Sequence, residues 1–97
     1  MIEVDYRKKG KMHDITITGH ASGETGKNII CAGSSMLAYT LAEALMRIDD
    51  ASVKIKDDGE IFRVTAEDSS KVRDVISTIM TGYELLENEY PQEVSLV

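Results

Sequence analysis

The chain has no tryptophan, one phenylalanine, one proline and one cysteine in 97 residues. Each shortage excludes something. With Phe62 as the lone phenylalanine, a core has to be assembled from Ile, Leu, Val and Met. A single cysteine, Cys31, cannot close an internal disulfide, so nothing ties the chain to an oxidising compartment, and the cytoplasm is the expected location. Basic residues are outnumbered, 11 Lys and Arg against 17 Asp and Glu, for a formal net charge of −6. That balance argues against binding a nucleic-acid backbone, which needs a basic face. No apolar run approaches the roughly 20 residues that cross a bilayer, so no membrane partner is expected. Met1-Ile2-Glu3-Val4-Asp5 is acidic and strand-like rather than a leader.

What is present has the balance of a folded domain, 42 % hydrophobic and 29 % charged. The length suffices for one two-layer core and not for two, so a single domain over 1–97 is expected. Ile2, Val4 and Tyr6 alternate with Glu3, Asp5 and Arg7, the period of a half-buried strand. After a turn at Lys8-Lys9-Gly10-Lys11, His13, Ile15 and Ile17 alternate in a second strand, so the pair reads as a hairpin.

A helix is expected from Ala32 to about Ile48, with Leu37, Leu41, Ala44, Leu45 and Ile48 on its apolar stripe and Ser34 and Ser35 near its start. Val53 and Ile55 begin a third strand, Asp57-Asp58-Gly59 makes a turn, and Ile61 to Thr65 return as a fourth. Asp68 reads as the cap of a second helix, whose inner face carries Val72, Val75, Ile76, Ile79, Tyr83 and Leu86. Glu93 to Val97, after Pro91, reads as an extra edge strand or a frayed tail. The order is ββαββα, an α+β architecture with an antiparallel sheet and both helices on one face.

The segment with most chemical content runs from Gly19 to Ser35. His20 lies just past the second strand, Cys31 lies where the helix should begin, and a polar loop with Gly23 and Gly26 separates them. A helix N-terminus and a nearby imidazolium both favour a thiolate, and the spacing offers Cys31 the first and His20 as the second. The same helix end supplies backbone N–H donors for an oxyanion, assigned here to Ala32 and Gly33. Ser35, four residues after Cys31, shares its helix face.

Two readings of the pair stand open on spacing alone: a cysteine nucleophile with its base, or a small buried thiol and a surface histidine. His13 reads as packing beside Ile15 and Ile17. Gly26-Lys27 does not make a phosphate-binding loop, since Ala21 and Asn28 occupy the positions that need glycine and a hydroxyl. His13, His20 and Cys31 lack a fourth ligand and the paired spacings of a zinc site, so no metal or other cofactor is expected. Asp49-Asp50 and Asp57-Asp58 read as solvated charge at a helix end and a turn.

Gly19-His20-Ala21, the short loop, and Ile29-Ile30-Cys31-Ala32-Gly33-Ser34-Ser35 together resemble the Prp (YsxB-like) ribosomal-processing cysteine protease family. That family's pattern runs G-H-A, a loop with A-E-x-G, then D-[IL]-V-C-A-[AG]-x-S. Glu24 and Gly26 match the loop's Glu and Gly, and the length and element order agree over the whole chain. The chain departs in carrying Asn28 where the family has Asp, in a loop one residue shorter, and in lacking the loop's aromatic residue.

The resemblance implies Cys31 as nucleophile, His20 as general base and acid, and Ser35, Asn28 and Gly19 in support. It implies a substrate lid over Ala21, Ser22, Gly23, Glu24, Thr25, Gly26 and Lys27. It implies a homodimer that removes the N-terminal extension of a basic protein, number twenty-seven of the large ribosomal subunit, during ribosome biogenesis. A non-catalytic ribosome-associated or assembly module on the same fold is the competing expectation.

Overall fold

The computed structural model describes residues 1–21 and 28–97. The expectations for Ser22, Gly23, Glu24, Thr25, Gly26 and Lys27, and for the side chain of Asn28, lie outside the described residues. The described elements run β1 (Ile2–Lys9), β2 (Met12–Thr18), α1 (Asn28–Met46), β3 (Val53–Asp57), β4 (Ile61–Glu67), α2 (Ser70–Glu89) and β5 (Val94–Leu96). The sheet order is β3-β4-β2-β1-β5.

β1 and β2 pair antiparallel from Glu3↔Thr18 to Lys9↔Met12, around a tight turn in which Gly10 takes φ +57°. The β3–β4 hairpin is fixed by its own carboxylates. Asp57 accepts from the Gly59 N–H (3.1 Å), and Asp58 accepts from the Glu60 and Ile61 N–H groups (3.0 and 2.8 Å). The ββαββα order is therefore observed, with one addition: the C-terminal segment is a strand, β5, running parallel to β1. The sheet is mixed rather than wholly antiparallel.

Alternation sends Ile2, Val4, Ile15, Ile17, Val64 and Ala66 to one face of the sheet. Both helices cover that face, α1 with Ile30, Ala38, Leu41, Ala42 and Leu45, and α2 with Val72, Ile76, Ile79 and Tyr83. Burying each large apolar side chain is worth about 1.5–3 kcal/mol, which is what holds the two layers together. The helices also approach each other closely: a Cβ at Gly82 would collide with the Leu37 side chain.

Three local expectations need correcting. α1 starts at Asn28 rather than Ala32, because the helical period must reach Ile30 to bury it in the core (2 % exposed). The cap of α2 is Ser69, whose hydroxyl accepts from the Val72 N–H, while Asp68 is spent elsewhere. And Ile29–Met46 has the length and mean hydropathy (1.5) of a membrane-crossing helix, contrary to the expectation that no stretch comes near it. Its apolar residues at 30, 38, 41, 42 and 45 instead fill the space above the sheet, as a core helix does.

Candidate active site

β2 delivers the histidine. Thr18, its last residue, pairs with Glu3 on one side and Ile61 on the other, so the chain leaves the sheet beside the start of β1 and the β3–β4 turn. Gly19 then takes φ +87°, a conformation side chains rarely tolerate. It also lies so close to the first residue that an added Cβ would run into the Met1 carbonyl oxygen. The Met1 nitrogen donates to the His20 carbonyl at 2.8 Å. Backbone contacts thus place His20, and its ring stays exposed. Ala21 turns back into the core (7 % exposed), so it is packed structure rather than part of a lid.

α1 delivers the thiol. Cys31 is the fourth residue of the helix and half-buried, with no acidic side chain in the first turn to oppose the positive end of the helix dipole. Ser35 follows one turn later, exposed on the same side. Ala32 and Gly33 are the fifth and sixth helical residues, and their N–H groups fall within the helical ladder. The N–H groups without a helical partner are those of the first turn, before Ala32.

Ser34, buried between the thiol and Ser35, shows a contact the sequence did not reveal. The Tyr83 hydroxyl donates to the Ser34 carbonyl (2.8 Å) and sits 3.2 Å from the Ser34 hydroxyl. Burial pushes the Tyr83 phenol up to about 12, against the opposing hydrogen bond from Ser34, so it remains a donor at any ordinary pH. Tyr83 thereby pins the early turns of α1 to α2.

Gly19, His20, Cys31 and Ser35 line one open groove of about 110 Å³, which runs on between α1 and the β3–β4 turn. Ala32 and Gly33 do not line it. Within this structure the thiol and the imidazole share the groove without hydrogen-bonding each other, a common state for a catalytic pair before substrate tightens it. Among the described residues, no group of three or more His, Cys, Asp or Glu side chains is arranged to hold a metal ion.

The other histidine stands at the far end of β2. His13 is 2 % exposed, with Nδ1 2.6 Å from the Tyr6 hydroxyl and Nε2 2.7 Å from Asp68. Asp68 also pairs with Arg73 (2.7 Å) and, more loosely, Lys8 (3.8 Å). The hydrogen bond from His13, followed by the two cations, holds the Asp68 carboxyl below its ordinary value. Both ring nitrogens are occupied, and no groove reaches them among the described pockets lined by His20 or Cys31.

The family model for cysteine protease Prp matches residues 1–95. The ribosomal processing cysteine protease Prp of Staphylococcus aureus (strain Mu50) is 24 % identical over 100 residues, covering 98 % of this chain and 94 % of its own. The crystal structure of the essential ribosomal processing protease Prp from S. aureus, with a covalently linked product peptide, superposes with a TM-score of 0.84 at 29 % identity. It covers 99 % of this chain and 97 % of that one. SMU.848 from Streptococcus mutans superposes with a TM-score of 0.78 at 30 % identity, covering 99 % and 95 %. The chain belongs to the cysteine protease Prp family.

Proposed function

We propose that this cysteine protease cuts the N-terminal extension from a basic protein of the large ribosomal subunit, number twenty-seven, with Cys31 and His20 as its reacting groups. The observation that carries the reading is the shared groove: the only thiol and the one exposed imidazole both line it. The Cys31 thiolate attacks the scissile carbonyl, and His20 passes its proton to the leaving amine. N–H groups of the first turn of α1, which the helical ladder does not use, face the developing oxyanion. Water then releases the acyl group from sulfur, with His20 as base. Ser35 lies on the substrate side of the helix and supports the pair.

Support for the substrate comes from the S. aureus relative, whose name is ribosomal processing protease and whose crystals hold a product peptide. The net charge of −6 suits a basic partner. The enzyme works in the cytoplasm as a homodimer, in keeping with the family resemblance. Cys31→Ala abolishes cleavage of the extended ribosomal protein while circular dichroism and melting stay unchanged. Full cleavage by that variant contradicts the assignment.

A further inference from the structure

The groove does not end at Ser35. At 1.5 Å rise per residue, Tyr39 stands about 12 Å along α1 from Cys31, and positions 31, 35 and 39 follow one side of the helix. There Tyr39 meets Phe62 edge to face, with ring centroids 5.7 Å apart, and its hydroxyl reaches Asp57 Oδ2 at 3.5 Å. Asp57, Glu60 and Phe62 line the same groove as His20 and Cys31.

Both carboxylates are exposed at the turn, and the turn itself uses only part of their hydrogen-bonding capacity. The turn is held by Asp58, which accepts from two N–H groups, and by one oxygen of Asp57. Asp57 Oδ2 is left toward Tyr39. Glu60 contributes only its backbone N–H to the turn, and its carboxylate has no partner among the described residues. Neither Asp57 nor Glu60 pairs with a described lysine or arginine. The wall therefore combines two aromatic rings with two carboxylates that make no ion pair among the described residues, continuous with the reacting thiol.

We propose that Tyr39, Phe62, Asp57 and Glu60 form a specificity subsite for a lysine or arginine side chain of the peptide substrate. The inference rests on the proteolytic reading and adds the class of residue selected. The aliphatic stem lies across the two rings and the cation faces the carboxylates, which suits a long side chain with one charged end. About 12 Å of extended peptide is three to four residues, which sets the distance of the selected residue from the scissile bond.

The test is binding of a positional-scanning peptide library to Cys31→Ala protein, followed by fluorescence anisotropy. Each position in turn holds lysine, norleucine or glutamate, and positions are counted from the bond that the unmodified protein cuts. At one position three to four residues from that bond, lysine binds about tenfold tighter than norleucine, and glutamate weakest. Adding Asp57→Asn and Glu60→Gln brings the lysine-to-norleucine ratio close to one and leaves norleucine binding unchanged. Asn keeps the acceptor that Gly59 needs, and Glu60→Lys in a separate protein reverses the preference toward glutamate. Equal binding of lysine and norleucine at every position overturns the subsite, as does a preference that survives the double substitution. Failure of the unmodified protein to cut any member overturns the proteolytic reading instead, because the binding ratio is read without cleavage.

Discussion

The two histidines stand at opposite ends of β2 and are built in opposite ways. His13 is buried, both nitrogens are engaged, and its partners come from β1 and from the entry to α2. His20 is exposed, is placed by backbone contacts alone, and opens into the groove that also holds Cys31. His13, buried between Tyr6 and Asp68, is placed as a strut. An imidazole whose position is set through its main chain keeps the ring for chemistry. On the proposed mechanism, the contrast separates structure from catalysis within one seven-residue strand and its flanks.

The largest effect expected from disturbing this contrast comes from Gly19→Ala. The added Cβ collides with the Met1 carbonyl, so His20 must move, and a misplacement near 1 Å is enough to cut turnover about 100-fold. Peptide cleavage assays check it, with a crystal structure of the variant to show where the ring has gone. At the other end, His13→Ala strands the Tyr6 hydroxyl, leaves Asp68 to Arg73 and Lys8, and costs about 1–3 kcal/mol of stability, read by urea unfolding. Cleavage by the folded fraction should be unchanged.

A smaller effect sharpens the picture of the thiol wall. Tyr83→Phe removes the hydrogen bond to Ser34 and costs about 1 kcal/mol. Because Tyr83 acts through α1 as a positioning residue, it should also slow iodoacetamide alkylation of Cys31 or lower kcat at constant KM. A purely structural hydroxyl changes the melting point alone.

The smallest effect is on pH dependence. Asp68 is held below its ordinary value, chiefly by His13, so its contribution is present above about pH 4 and is lost as pH falls through its folded pKa. Asp68→Asn should flatten that acid limb in melting curves from pH 5 to pH 2. An unaltered limb would show that the His13 network carries no such linkage.

What the sequence disclosed about these two ends follows from how local each feature is. The hairpins announce themselves through alternation and turn residues, and the α2 stripe through its spacing, so the two layers were legible. Gly19, His20, Cys31 and Ser35 fall in one short stretch, and the structure brings them to one groove. The His13–Asp68 bond joins residues 55 positions apart, and the Ser34–Tyr83 contact joins residues 49 apart. Neither leaves a periodic trace. Asp68 looked like a cap because it precedes a helix, and the hydroxyl one residue later took that place. The early start of α1 was hidden because Ile29 and Ile30 are β-branched and follow a polar loop, which reads as non-helical until the core claims Ile30. The parallel pairing of β5 with β1 is likewise set by tertiary contact and not by its three residues.

The division of labour between the histidines is tested most directly by one paired measurement: cleavage rate and melting temperature of His20→Gln and His13→Gln side by side. The account predicts that His20→Gln loses cleavage and melts like the parent. His13→Gln should melt lower and still cleave at temperatures where it is folded. Cleavage retained by folded His20→Gln, or abolished in folded His13→Gln, would contradict it.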